Sequence, residues 1–261
     1  MTRIALWTTY YKPKDDERNS EFIRCLSINA ENPHINILYV LSEETSLPVT
    51  HNKIRFVHIS ERPSYNTFFD MYRTHEPESV NILMNSDIVL DYRHTGRLQY
   101  ISPNAFFALS RYEFLSSSKN IHTMENIWNA RTELFGHDKL LSSQFYYTQD
   151  AWVIYKYPSA SGIFTEKLGV PNCDGRIAYH FNQLGYNVYN PCLAVYTYHF
   201  HDNKDRSYYL PSCPGNLLYV RPTSLGAMLE PNIKQGIVVV DINPVNGLTQ
   251  KKNPRLSFIG K

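Results

Sequence analysis

The chain alternates short apolar runs with longer stretches whose apolar positions recur every three or four residues. Ile4 to Trp7 is the first such run, a predicted strand, and Thr8 to Lys12 follow as a polar and aromatic loop. A helix is predicted over 15–31. Asp15, Asp16 and Glu17 crowd its start, where the macrodipole favours acids, and Phe22, Ile23, Leu26 and Ala30 form its apolar stripe. Arg18 and Glu21, one turn apart, are placed as a pair on its solvated face. Asn32-Pro33 ends it, and strands follow over Ile35–Leu41 and Ile54–Ile59. Tyr65, Phe68, Phe69 and Tyr72 predict a second helix with an aromatic core face. Val80, Ile82, Leu83 and Met84 then run with almost no polar alternation, the pattern of a strand buried on both faces.

Beyond that strand, Ala105–Ser110 reads as another, 116–136 as loop with a short helix, and Val153-Ile154 as a strand abutted by polar Gln149-Asp150. A helix opens near Asp174, with Ile177, Ala178, Phe181 and Leu184 on its apolar face and Gly185 at its end. Strands are predicted over Tyr186–Tyr189 and Leu193–Tyr198. The tail from Pro211 is rich in Pro, Gly and Asn, with one clear strand at Gly236–Ile242. It is read as a flap, a small subdomain or an oligomer contact. Strands alternating with helices predict an α/β fold: a mixed, mostly parallel Rossmann-like sheet flanked by helices.

Composition narrows the function classes. At 261 residues with 43% hydrophobic and 19% charged, the balance is that of a globular chain. A formal charge of +2 gives no phosphate-binding field, which argues against a nucleic-acid partner. Twenty Tyr are many: they suit stacking on sugars or bases, and they also fill sheets. Cys25, Cys173, Cys192 and Cys213 form no CxxC pair, so reduced thiols, a soluble cytoplasmic location and no transmembrane segment are expected.

The candidate chemistry lies at strand ends. In open α/β sheets ligands bind outside the carboxyl ends of the strands. Asp87 in Asn85-Ser86-Asp87 is placed there to meet a metal ion or polar ligand; the alternative is an Asn-Ser-Asp turn. Thr8, Thr9 and Tyr10 fall on the same edge, and Arg62 and Asn66 are positioned to reach phosphate or ribose. Asp174 is a helix cap or a functional acid. His199 and His201 alternate along a strand and so share a face, suiting either metal binding or local hydrogen bonds.

Taken together, these blocks resemble a GT-A-fold glycosyltransferase. Asn85-Ser86-Asp87 stands where that fold has Asp-x-Asp, Asp174 at the acidic helix start, then Gly185, a strand and His199-Phe200-His201. More narrowly, the chain is similar to glycosyltransferase-like proteins of large DNA viruses and bacteria. That likeness rests on Arg18–Glu21 with Asn29 and Asn32, NSDIVLD, QDAW at 149–152, CDGRIAY at 173–179 and HFHDNKDRSY at 199–208, in one order. The resemblance implies a catalytic domain over 1–210 and a C-terminal extension over 211–261. It implies a nucleotide-diphosphate sugar donor and a glycan or other hydroxyl acceptor. Asp174 would be the base of an inverting transfer, with Asp150 as second candidate or acceptor-orienting residue. Thr8, Thr9, Tyr10, Arg62, Asn66, Asn85 and Ser86 would hold base, ribose or phosphate, and Lys204 or Arg206 would add charge at the leaving group. Asp87 with His199 or His201 would hold Mn²⁺ or Mg²⁺; if the chain is viral, its location is the host cytoplasm. Asn85 departs from the first acid of the motif, which weakens the expected metal set.

Two other readings stand beside this one. A metal-dependent hydrolase is prompted by His199-Phe200-His201-Asp202, and a zinc site from Cys192, His199, His201 and Cys213 matches no common spacing. A non-catalytic carbohydrate-binding protein would account for the tyrosines. There is no Walker loop and no GxGxxG, so kinase and dehydrogenase readings lack support.

Overall fold

The computed structural model describes residues 2–135, 148–158, 162–202, 213–224 and, for the backbone, 237–242. Its centre is a seven-stranded sheet in the order β10-β6-β9-β4-β1-β2-β3. The strands are β1 Ile4–Tyr10, β2 Ile37–Ser42, β3 Ile54–His58, β4 Val80–Met84, β6 Ala105–Leu109, β9 Ala151–Ile154 and β10 Asn187–Tyr189. Neighbours are parallel except around β9, which runs antiparallel to both β4 and β6. This is a mixed, Rossmann-like α/β sheet, as the alternation of apolar runs and amphipathic stretches predicts.

Helices cover both faces. Successive residues of β1 point to opposite sides: Ala5 and Trp7 join one core and Ile4 and Leu6 the other. The first core packs against α2 (Tyr65–His75) and α5 (Cys173–Gln183). The aromatic stripe Tyr65, Phe68, Phe69 and Tyr72 is wholly buried in it. Each such ring contributes about 1.5–3 kcal/mol by leaving water. The second core takes Phe22, Leu26 and Ala30 from α1 (Asp16–Glu31), which Asp15 caps by accepting from the Arg18 N–H. Asn81, the polar member of β4, accepts from Trp7 Nε1 at 2.8 Å and donates to the carbonyls of Glu76 and Ser79.

A second sheet lies beside the carboxyl edge of the first, in the order β5-β11-β7-β8. It comprises β5 Ile88–Leu90, β7 Tyr112–Phe114, β8 Thr132–Leu134 and β11 Thr197–His199. Asn29 of α1 clamps β5, donating to the Ile88 carbonyl and accepting from the Leu90 N–H. Asn32 donates to the Leu90 carbonyl and to Thr95 Oγ1. Short helices α3 (Tyr92–Thr95) and α4 (Met124–Asn129) flank this sheet. A third, two-stranded ribbon pairs β12 (Gly215–Val220) with β13 (Ile237–Ile242). β12 packs on α5 at Gly175, where a Cβ would stand 2.8 Å from Tyr219 Cζ and 2.9 Å from Leu217 Cβ.

Three local expectations change. β1 continues through Thr8 and Thr9 to Tyr10, because its register with β2 runs on to Tyr10 opposite Ser42. Residues 193–195 are not strand: the Pro191 carbonyl accepts from Ala194 and Val195 N–H, making a turn. Arg18 and Glu21 do pair, at 2.7 Å, but Glu21 is fully buried and the face is not solvated. No described helix is long and apolar enough to cross a membrane, and all four cysteines are free and buried.

Candidate active site

Strand direction gathers the polar groups. β4 and β6 end at one edge of the sheet, and antiparallel β9 begins there, with Met84 and Leu109 both opposite Ala151. Asn85–Asp87, Arg111 and Thr148–Asp150 therefore share that edge. β11 adds His199, the first turn of α5 adds Asp174, and the first turn of α1 adds Arg18. All but Ser86 line one cleft of about 440 Å³. A smaller cleft of about 80 Å³ adjoins it, sharing Arg18, Asn85, Asp87 and Gly169 and adding Thr9, Ser86 and Arg62. Gly169, at φ +78, lets the Arg62 guanidinium lie against its backbone: a Cβ there would be 2.8 Å from Nη2.

An unbroken line of alternating charge runs along the floor. Glu21 pairs with Arg18 at 2.7 Å, and Arg18 with Asp87 at 2.5 Å. Asp87 faces His199 Nε2 at 3.2 Å, and both Glu113 oxygens lie 3.0 Å from His199 Nδ1. Glu113 accepts from Arg111 Nε at 2.7 Å, Arg111 Nη1 donates to Asp150 at 2.8 Å, and Asp150 accepts from Asn85 Nδ2 at 2.8 Å. Both nitrogens of His199 face carboxylates, and only an imidazolium donates from both. Burial and Arg111 oppose that charge, but Asp87 and Glu113 outweigh them and raise its pKa. Burial alone would raise the Asp87 pKa; His199 and the two arginines instead hold it far below the carboxylate range.

Asp174 behaves oppositely. Burial, and then the neighbouring Asp150 charge, push its pKa from 3.8 to about 7, although nearby backbone N–H groups pull the other way. It lies in the first turn of α5, inside the helix; Asn172, at φ 68, occupies the cap position and makes no side-chain cap bond. A carboxyl that titrates near neutrality on a cleft wall is suited to accept a proton from a bound hydroxyl.

The structure brings Asp87, Asp150, Asp174, Asn85, His199 and His201 to the large cleft, and Thr9, Ser86 and Arg62 to the small one. It does not bring Thr8, Tyr10 or Asn66 to either. Thr8 is buried and donates to the Met84 carbonyl, Tyr10 donates to Asn19, and Asn66 accepts from the Phe164 N–H. Lys204 and Arg206 lie outside the described residues.

Asp87, His199 and His201, the residues expected to hold a divalent ion, lie together on the large cleft and are engaged with one another and with Arg18. Among the described residues no group of three or more His, Cys, Asp or Glu is placed to hold an ion. Asp87 Oδ2 already carries the Arg18 guanidinium, and an imidazolium at His199 has no lone pair to give. The His201 ring stacks on His199 at 5.1 Å, on one face as the strand alternation predicts, but its Nδ1 lies 3.2 Å from Arg18. A guanidinium thus occupies the place at Asp87 where a cation was expected. Asp202, part of the hydrolase reading, is held by the Ser118 N–H and hydroxyl.

Arg18, Arg111, Glu113, Thr148 and Gln149 were not among the residues expected to build the site. One signal for Arg18 was available: positions 18, 21, 25, 29 and 32 follow a single helical stripe that also carries the β5 clamp. Arg111 comes two residues after the buried strand β6, and Asn85 directly follows β4.

No family model and no curated protein matches the chain. Among solved structures, it is similar to 4-diphosphocytidyl-2C-methyl-D-erythritol synthase from Anaerococcus prevotii at 9% identity and a TM-score of 0.29. The match covers 42% of this chain and 55% of that one, so the chain spans about half the length of that structure.

Proposed function

We propose that this protein is a glycosyltransferase of the GT-A type, moving a sugar from a nucleotide-diphosphate sugar to a hydroxyl of a glycan or other acceptor. One observation carries the reading. At the ligand edge of a Rossmann-like sheet, Asp174, with a pKa near 7, lines the same cleft as Arg18, and Arg62 lines the smaller cleft that shares Arg18 with it. The order of Asn85-Ser86-Asp87, Asp174, Gly185 and His199 along the chain supports the same reading.

In the proposed reaction Asp174 takes the proton of the acceptor hydroxyl while its oxygen attacks the anomeric carbon. The bond from that carbon to the diphosphate oxygen breaks on the far face, with inversion, and its electron pair leaves on the nucleoside diphosphate. Arg18 and Arg62 offset the charge that develops there. Asp150, fixed between Arg111 and Asn85, orients the acceptor.

The test is thermal unfolding against UDP-, GDP- and dTDP-sugars, with Mn²⁺ or with EDTA, followed by assay of nucleoside diphosphate release. A ligand that binds the folded state raises the midpoint. A rise with one donor and acceptor-dependent release are expected. No rise with any donor, but a rise with Zn²⁺ alone, would replace this reading with a metal-hydrolase or structural-zinc one.

A further inference from the structure

Unpaired polar atoms cluster on one wall of the cleft. Thr148 Oγ1, both amide atoms of Gln149 and Trp152 Nε1 are all buried without a hydrogen-bond partner. Gln149 is 1% exposed and Trp152 2%. All three residues line the 440 Å³ cleft, next to Asp150 and Asp174. Native structures leave few buried polar groups unpaired, and an amide with neither end bonded is costly. Nothing in the described residues holds that amide, and its residue lines the cleft.

We propose that Thr148, Gln149 and Trp152 form a recognition subsite for the hydroxyls of a sugar ring. The unpaired groups select the ligand chemistry. Trp152 Nε1 only donates, Gln149 both donates and accepts, and Thr148 does either. Hydroxyls complement this set because each both donates and accepts. Phosphate does not, since it leaves the Gln149 carbonyl unpaired and meets the Asp150 and Asp174 carboxyls. A cation does not, since the indole and amide N–H groups repel it. Phe135 and Tyr219 add aromatic surface to the same cleft, suited to the apolar face of a ring. The assignment rests on the transferase reading for the ring's part in the reaction, but its binding test stands apart.

The ring belongs to the donor or to the acceptor, and the experiment separates them. Saturation-transfer NMR and calorimetry on the full chain would use glucose, galactose, mannose and N-acetylglucosamine; UDP, GDP and dTDP; and the corresponding sugar nucleotides. Wild type is compared with Gln149→Leu and with Trp152→Phe, which removes the N–H while keeping a ring in the core. Gln149→Leu is expected to weaken the bound sugar ligand at least about tenfold and leave the bare nucleoside diphosphate unchanged. It is also expected to raise Tm by about 2–4 °C, because a buried unpaired amide is removed. A loss on free saccharides assigns the ring to the acceptor, and a loss on sugar nucleotides alone assigns it to the donor. Equal loss for sugar nucleotide and bare diphosphate, unchanged sugar binding in both variants, or no sugar ligand bound at all overturns the subsite. Saccharide binding without any nucleotide binding leaves the subsite standing and removes the transferase reading.

Discussion

Arg18, on the first turn of the first helix, reaches Asp87, 69 residues later, at 2.5 Å. The same guanidinium bonds Glu21, which is fully buried, and the Phe200 carbonyl. Arg18→Ala therefore takes the guanidinium from two carboxylates, leaving Asp87 only His199 and Glu21 only the Asp202 N–H, and breaking such a pair costs about 3–5 kcal/mol when both partners are buried. Arg18 retains 21% exposure, which puts the expected loss at the low end, about 3 kcal/mol. Urea unfolding of wild type, Arg18→Ala and the double variant Arg18→Ala/Asp87→Asn would show it. The double variant is expected to recover part of the loss, and strictly additive losses would deny the coupling.

Because Arg18 already sits on Asp87, nucleotide binding is expected to survive EDTA. Calorimetric titration of the nucleoside diphosphate in EDTA and in Mn²⁺ checks this. Affinities within about threefold, or roughly 0.7 kcal/mol, agree with a guanidinium-filled site. Binding that appears only with Mn²⁺ would mean that Arg18 moves aside and that Asp87 and His199 become ligands.

Asp174→Asn keeps the shape of the side chain and removes the base. Transfer is expected to fall by roughly 10²–10⁴, the usual contribution of general base catalysis, with donor affinity nearly unchanged. In wild type the rate should rise with pH through about 7, the pKa to which burial and Asp150 push this carboxyl. The residual activity of the variant should lack that limb. Near-normal turnover would pass the role to Asp150.

Much of this was legible in the chain, and the failures have physical causes. Tyr65, Phe68, Phe69 and Tyr72 declare a buried helix face because aromatics at that spacing have few other uses. Asp87 and Asp174 could be picked out because acids beside apolar runs are not needed for packing. Arg18 escaped because which face of α1 is buried depends on where β5 lies, a fact of tertiary structure that Asn29 and Asn32 fix from a distance. Thr8 and Tyr10 looked like ligand-edge residues because polar side chains mask a strand whose backbone is still paired with β2. β12 was hidden in a tail whose Pro, Gly and Asn content reads as loop, yet Leu217 to Val220 are buried against α5.

Gly175 ties that strand to α5, the helix that carries Asp174. A Cβ there would meet Leu217 Cβ and Tyr219 Cζ inside 3.0 Å, and the Leu217 contact lies close to the backbone and cannot swing away. Gly175→Ala is expected to destabilise by about 1–3 kcal/mol, as overpacking does, despite alanine's better helix propensity. Since Asp174 is the adjacent residue, the rate should fall further than Tm alone explains. Chemical denaturation with a parallel rate measurement checks both, and a neutral effect on each would show that α5 and β12 separate readily.

Stability should peak on the acid side of neutrality. Asp87 is held below 3.8, so its contribution is complete above that value and lost as pH falls further. His199 is raised above 6.5, so its contribution is full below 6.5 and lost as pH rises through its folded pKa. Asp174 carries a folded pKa of about 7 against 3.8, so the native state loses stability as pH climbs between those values and the buried carboxyl ionises. His94, lowered by burial despite the Asp91 charge, works the other way as pH falls through 6.5. The expected result is a higher Tm at about pH 5.5 than at about pH 8.5, with the difference reduced in Asp174→Asn. A Tm that climbs steadily across that range, in both proteins, would mean that neither the His199 imidazolium nor the protonated Asp174 exists in the folded state.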